Sequence, residues 1–459
     1  MKSDLGKWRW IFVLLLLICS SCMSPMKRAE RHYQTGMSKI QSGDQTNALV
    51  ELSRAIQLNP KYEKAYLARG TARQALLDFG AAINDYGKVI ELNPSNEPAF
   101  YNRGLCKLRL KDDRSALADL TEAVKLEPDD VKAYNFRSLA RVNLLDRNGA
   151  LDDLNKCVEL IPQEAAAYRN RATVEVLLKE YEKALADASK AVELNSNDGF
   201  SHQIRGEAEV MLKNYDDALL DFDKAIELTP QAAEAYAGRG SLKVLAHDFD
   251  GANADLEKAL QLNPKSAPAF AGRGFLRIKR GDNNGALADF QQAVKLGSQY
   301  AQTYQCLGYL QDDLFQFRPA LENLRKSVEM DPSMDYPRFR IWLIRSRLGE
   351  RDDATKELDS YVKSLSGAKA QDWSACIGLF LTGNVPESEF FNQATTTAKR
   401  PSDTGGQICE ACYYAGMKHL LDGDKEGAAD LFQKCLDTGA TSYSEFSSAS
   451  AELRALKQP

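Results

Sequence analysis

Cys409 and Cys412 stand three residues apart in "CEAC", a spacing that suits two thiolate ligands of one metal ion. A structural zinc site takes about four ligands, and the candidates to complete this one are His419 and Cys435. The favoured reading is nevertheless core thiols, ahead of a disulfide and then of a metal site. The remaining histidines, His32, His202 and His247, are far apart, so spacing defines no nucleophile–base pair. A third chemistry recurs at a fixed interval. Arg69, Arg103, Arg137, Arg171, Arg205, Arg239 and Arg273 each precede an aspartate by 16 residues: Asp85, Asp119, Asp153, Asp187, Asp221, Asp255 and Asp289. Arginine against aspartate makes charge-assisted, often bidentate hydrogen bonds. Seven copies of one pair read as a structural ladder rather than a catalytic centre, so no enzyme, cofactor or metal is expected.

The arginines themselves are spaced by 34, and so are Pro60, Pro94, Pro128 and Pro162. With Ala29 as position 1, nine units of 34 residues fill 29–334 without insertion or deletion. Position 20 is alanine in every unit, from Ala48 to Ala320, and position 8 is glycine in seven of the nine. Glycine inside a helix costs about 1 kcal/mol relative to alanine, so its recurrence needs a packing reason. Gly240 is expected to face Ala252 where two helices approach closely. Position 4 is mostly aromatic, as at Tyr66, Phe100 and Tyr236, and is expected to fill space beside the small residue at position 27. His202 falls at that aromatic place and reads as a core residue. Units end in a turn, often Asn-Pro, whose asparagine is expected to cap the next helix.

This pattern resembles the tetratricopeptide repeat family over residues 29–334. The resemblance implies an all-α, right-handed superhelical solenoid of antiparallel helix pairs, helix A followed by helix B in each unit. The ladder is then expected to join position 7 of helix A to position 23 of helix B within one repeat, rather than between neighbouring repeats. Unit nine lacks both partners, having Leu307 and Asn323, and unit one has Thr35 and Glu51 in those places. In the family, positions 5, 9 and 12 of helix A line the concave face. That puts forward Tyr101, Leu105, Asn135, Leu139, Arg169, Thr173, Gln203, Glu207, Ser241, Phe275 and Tyr309 as peptide-groove residues. The alternative is that they pack between adjacent A helices.

Residues 335–368 hold the grid weakly, as a degenerate tenth repeat with Ala354 at position 20 and the bulky Trp342 at position 8. Residues 369–408 break it, with a helix expected over Trp373–Leu381, another after Pro386, and a polar loop over Lys399–Gly406. The repeat returns in 409–459, and a last helix over Tyr443–Leu456 is expected to cover the end of the stack. "WSACIGLFLTGNVPESEFF" and "CEACYYAGMKHLLDGDKEGAADLFQKCLDTGATSYSEF" resemble the C-terminal part of NlpI-type bacterial lipoproteins. That likeness implies an adaptor docking envelope peptidases or cell-wall hydrolases.

At the other end, the nine-residue apolar run "WIFVLLLLI" follows Lys2, Lys7 and Arg9. A spanning helix needs about 20 such residues, so residues 1–21 read as a signal peptide. Ser20 and Ser21 before Cys22 resemble the bacterial lipoprotein cleavage box, which implies a lipid on Cys22. Met23 behind it implies the outer membrane, facing the periplasm. Residues 22–28 would then be a short tether, spanning about 20 Å when extended. With Cys22 lipidated, the remaining thiols (Cys106, Cys157, Cys306, Cys376, Cys409, Cys412 and Cys435) are an odd, scattered set, not a disulfide framework.

The chain has 59 basic and 64 acidic residues, a net charge of −5, which argues against nucleic acid as a partner. The expected function is a lipid-anchored, non-catalytic protein–protein adaptor of the bacterial envelope that binds an extended peptide or protein segment in its groove. The alternative is a structural or assembly lipoprotein that self-associates, or binds through its ends or convex face.

Overall fold

The computed structural model describes residues 24–397 and 401–457; the signal peptide 1–21, Cys22 and Lys399 lie outside them. The described residues are helical throughout, without a strand. They form two compact units that divide after Thr229. The first unit holds six antiparallel pairs: α1 (Pro25–Gln41) and α2 (Gln45–Leu58), α3 (Glu63–Ala75) and α4 (Phe79–Leu92), α5 (Glu97–Arg109) and α6 (Asp113–Leu126), α7 (Val131–Asn143) and α8 (Arg147–Leu160), α9 (Ala165–Leu178) and α10 (Tyr181–Leu194), α11 (Gly199–Met211) and α12 (Tyr215–Leu228). The second continues with α13 (Ala233–Leu245) and α14 (Phe249–Leu262), α15 (Ala267–Lys279) and α16 (Asn283–Lys295), α17 (Ala301–Asp313) and α18 (Phe317–Met330), α19 (Tyr336–Arg347) and α20 (Arg351–Ser364). It ends with α21 (Trp373–Leu381), α22 (Glu387–Thr396), α23 (Pro401–Leu421), α24 (Lys425–Asp437) and α25 (Ser444–Leu456). Within each unit, successive pairs stack as an all-α solenoid.

Local chemistry sets the helix ends. Asp44, Asp78, Asp112, Asp146, Asp248 and Asp282 cap the B helices, each accepting the backbone N–H three residues on. The residue before each of these caps closes the A–B turn in the left-handed region: Gly43 and Gly281 do so without cost, whereas Leu77 and Leu145 do so at φ 63° and 65°. The asparagines of the Asn-Pro turns behave differently from expectation. Asn59, Asn93 and Asn263 close the preceding B helix and accept the N–H two residues on. Asn96 and Ser266, three residues later, cap the next A helix instead.

Every alanine at position 20 is fully buried. The position-8 glycine, however, does not meet it first. A Cβ on Gly240 would lie 2.8 Å from Leu256 Cγ and 3.2 Å from Asp255 Cβ. Gly36, Gly104 and Gly308 likewise abut Leu52, Leu120 and Leu324, while Gly206 and Gly274 abut Phe222 and Phe290. Glycine therefore makes room for the large side chain at position 24, and Ala252 is the wrong partner for Gly240. Where position 8 is Ala172, position 24 shrinks to Ala188, and the two share one core cluster.

The irregular segments depart further. Trp342 is buried at position 8, its Nε1 donating to Thr355 Oγ1 at 2.9 Å. In the 369–408 segment, α21 and α22 are joined by stacked rings, Trp373–Phe390 at 5.1 Å and Phe390–Phe380 at 4.1 Å between centroids. The loop expected through Gly406 is wrong from Pro401 onward, because α23 starts there with Asp403 in its first turn. Gly406 is not a loop residue but a contact, with no room for a Cβ against Tyr443. Of the tether expected over 22–28, residues 25–28 are the first turn of α1, started by Pro25 and capped by Ser24, which accepts the Lys27 N–H at 3.3 Å.

Candidate functional site

Each ladder arginine lies on helix A one residue before position 8 and reaches the aspartate on helix B of the same repeat. All seven pairs form, with closest N–O distances of 2.5 to 2.8 Å. The aspartates are almost entirely buried. In six repeats the guanidinium also lies over the position-4 ring, at 5.2 to 5.7 Å from its centroid. The third edge of the fork reaches the preceding repeat: Arg69 Nη1 bonds Ser53 Oγ at 3.0 Å, and Arg273 Nη1 bonds Glu257 at 2.9 Å. The ladder therefore locks each hairpin and stitches some neighbours together.

A second cation at position 11 was not anticipated. Arg73, Lys107, Arg141, Lys243 and Arg277 each bind the same aspartate as the position-7 arginine, at 2.7 to 2.9 Å. Two repeats invert that charge. Glu175 and Glu209 occupy position 11 there, both buried, each with one carboxyl oxygen lacking a hydrogen-bond partner. Burial, reinforced by Asp187 and Asp221, pushes both carboxyls up to about 7. Asp221 instead gains His202, whose Nδ1 sits 2.8 Å away. His202 is therefore buried as expected, yet joins the ladder. His32 does the same in unit one, 2.6 Å from Glu51. In unit nine a neutral pair substitutes: Asn323 Nδ2 donates to Gln311 at 2.8 Å.

Of the groove candidates, Leu139 on α7 and Thr173 on α9 are exposed and the others are half-buried or buried. In the first unit, Tyr101 packs edge-on to Phe136 at 6.0 Å, with Leu105 half-buried in the same cluster. Asn135 accepts from Asn170 at 2.7 Å, tying two A helices together. Arg169 bonds Asp198 at 2.7 Å, at the start of α11, where Phe200 is exposed. Gln203 is buried and donates to Glu207 at 2.9 Å. In the second unit, Ser241 and Phe275 pack between helices. Ser241 lies against Gly272, and Phe275 meets Phe290 at 5.1 Å. Tyr309 accepts from Gln305 at 2.9 Å, and its ring lies 4.9 Å from the Arg340 guanidinium.

Arg340 lies at the centre of a buried polar cluster beside Tyr309. Its side chain is 1% exposed and donates to Asp312 at 2.9 Å and Tyr413 Oη at 2.7 Å. It also donates to Ser448, on the last helix α25. Ser448 in turn donates to Asp313 at 2.6 Å, Tyr414 Oη donates to Glu445 at 3.1 Å, and Arg347 pairs with Glu452 at 2.6 Å. The last helix thus packs on α23 and α24 and also reaches α17 and α19, so it does more than cover an end. Burial pushes Asp313 up to about 7. The sequence sign was the serine-rich "SEFSSAS" of α25, whose small polar residues fit a crowded, charged seat.

The thiols and histidine of the metal candidate do not gather. His419 is held by Asp424 at 2.7 Å and Glu387 at 3.0 Å, and Asp424 first, then Glu387, holds its pKa above the usual value. Cys409 instead lies against Cys435, with their sulfurs 3.1 Å apart.

Residues 67–131 match the family model described as tetratricopeptide repeat. None of the curated proteins matches the chain. Among solved structures, the chain is similar to a tetratricopeptide repeat protein from Parabacteroides merdae, with 21% identity over 61% of this chain and 98% of that one and a TM-score of 0.42. It is similar to PilF of Pseudomonas aeruginosa, with 18% identity over 46% and 97% and a TM-score of 0.40. It is also similar to YrrB, titled a TPR protein with an unusual peptide-binding site, with 24% identity over 41% and 97% and a TM-score of 0.33. The matched family model thus identifies the tetratricopeptide repeat over residues 67–131, and the same 34-residue period and helix pairs run unbroken over 29–334.

Proposed function

We propose that the chain is a non-catalytic adaptor that binds an extended peptide or protein segment along the A helices of its first unit. Tetratricopeptide repeats support protein–protein interaction scaffolds and are generally non-catalytic. The observation that carries the finer reading is the exposure of Leu139 on α7 and Phe200 on α11, with the Arg169–Asp198 pair tying α9 to the start of α11. Apolar side chains there bury a ligand's side chains, while the ion pair and nearby amides bond its backbone. The rest of the proposal concerns place and partner: a lipid on Cys22 holds the chain on the outer membrane facing the periplasm, and the partner is an envelope peptidase or cell-wall hydrolase. The lipobox-like residues and the NlpI-like C-terminal segment support that part.

Photo-crosslinkers at Leu139 and Phe200 test the adaptor reading. Capture of a different protein, lost on Leu139→Asp, is the expected result; capture of this chain alone defeats it. Labelling with a lipid precursor, repeated on Cys22→Ser, tests the anchor, and equal labelling of both refutes it. One observation favours the alternative, self-association through an edge. Leu77, Leu110 and Leu145 are 53–75% exposed at successive A–B turns, and an apolar row of that kind suits contact with a second copy.

A further inference from the structure

We propose that Cys409 and Cys435 are joined by a disulfide in the oxidised protein, closing the last repeat hairpin. Their sulfurs already lie 3.1 Å apart, and both residues are fully buried. A disulfide needs about 2.05 Å, so the two must approach by only about 1 Å. The pairing follows from the repeat. Cys409 is position 1 and Cys435 position 27 of the final unit, and these positions touch in other repeats. Cys157 at position 27 points its thiol at the Val131 carbonyl at 3.6 Å. Tyr361 at position 27 bonds Asp335 at position 1. A Cβ on Gly199 at position 1 would sit 3.0 Å from the Ala225 carbonyl at position 27. Only the final unit places cysteine at both. Cys412, although nearer in sequence, sits one helical turn along at position 4.

Either thiol can open the exchange, and the balance is the same whichever attacks first. The oxidant is a disulfide, either a small molecule or an exchange catalyst. With Cys409 first, its thiolate attacks one donor sulfur and expels the first donor thiolate. Cys435, deprotonated, then attacks Cys409 Sγ in the mixed disulfide and expels the second. Two protein thiols and one donor disulfide become one protein disulfide and two donor thiols, the two protons passing to the donor. Because neither sulfur reaches solvent, exchange takes place before α23 and α24 close together. The bond would fix the seat of α25, since Cys435 Sγ also contacts the Glu445 carbonyl at 3.8 Å.

The test is a peptide map of the full chain refolded with oxidised glutathione, alkylated with N-ethylmaleimide under denaturing conditions without reductant. The expected result is one crosslinked species joining the Cys409 and Cys435 peptides, with Cys106, Cys157, Cys306, Cys376 and Cys412 alkylated. Cys412→Ser should leave the crosslink in place, whereas Cys435→Ser should abolish it and render Cys409 alkylatable. Reduction should lower the unfolding temperature of the wild-type chain and leave that of Cys409→Ser/Cys435→Ser unmoved. Full alkylation of both residues in the unreduced wild-type chain, or a crosslink to Cys412, overturns the proposal. The wild-type map decides even if a variant folds poorly.

Discussion

Asp255 holds two cations, Arg239 and Lys243, while Asp221 holds one cation and a histidine and faces a buried glutamate. These surroundings make different predictions. Arg239→Ala leaves Asp255 bound to Lys243, but Asp255→Ala leaves two cations facing each other. Removing one side of a buried pair costs about 3–5 kcal/mol, so Asp255→Ala should fall in that range and Arg239→Ala below it, by urea denaturation. The position-11 glutamates predict a pH dependence. Glu175 and Glu209 carry pKa values raised to about 7, above the ordinary carboxyl value that the unfolded chain restores. Their contribution to stability is therefore full at acid pH, below the unfolded value, and is lost as pH rises through 7. Between pH 5 and 8 the thermal midpoint of the wild-type chain should fall more than that of Glu175→Gln/Glu209→Gln; parallel curves would refute this. The seven Arg–Asp pairs were legible because both partners recur at one interval. Position 11 was missed because its residue varies among arginine, lysine and glutamate, and only their shared neighbour reveals a common role.

Helix pairs depend on a fit between positions 8 and 24 that single positions conceal. Seven glycines announced a close approach, but the large partner alternates among leucine, tyrosine and phenylalanine, so no one residue type marked it. The constant alanine at position 20 drew attention instead. Gly240→Ala should destabilise by about 1–3 kcal/mol through overpacking, although alanine is the better helix former by about 1 kcal/mol, because its Cβ would fall 2.8 Å from Leu256 Cγ. Leu256→Ala alone should cost about 2–5 kcal/mol. The double variant reproduces the Ala172–Ala188 solution and should cost less than the sum of the two; simple additivity in a double-mutant cycle would exclude the contact. Helix pairs within the periodic region followed from the 34-residue interval, although the aspartates that cap the B helices were not anticipated and the Asn-Pro asparagines close those helices instead of capping the next. The start of α23 did not, because proline, serine and two glycines read as a loop unless Tyr443, 37 residues beyond Gly406, is known to press on that glycine.

At the scale of the molecule, a regular period says how each repeat meets the next, but not where a later segment returns to an earlier one. The second unit does this through α25. Asp313 and Ser448 are 135 residues apart yet 2.6 Å from contact atom to contact atom, and nothing in the 34-residue grid encodes that distance. The consequence is a buried polar seat, Arg340 with Asp312, Asp313 and Tyr413, whose satisfaction depends on Ser448 and on the Arg347–Glu452 pair. A buried charge network of this kind is costly when partly satisfied. Ending the chain at Tyr443 would remove Ser448 and Glu452 together and open the seat to water. Asp313, whose pKa burial raises to about 7, would then return toward the ordinary carboxyl value. The amides of α17 and α19 should exchange faster by about tenfold or more in the truncated chain, while those of α14, which does not pack on α25, stay unchanged. Ser448→Ala should produce a smaller rise confined to the same two helices, since it deletes one hydroxyl and keeps the helix seated. If truncation leaves α17 and α19 as protected as before, α25 is a bystander to those two helices, and the Arg340 seat holds without it.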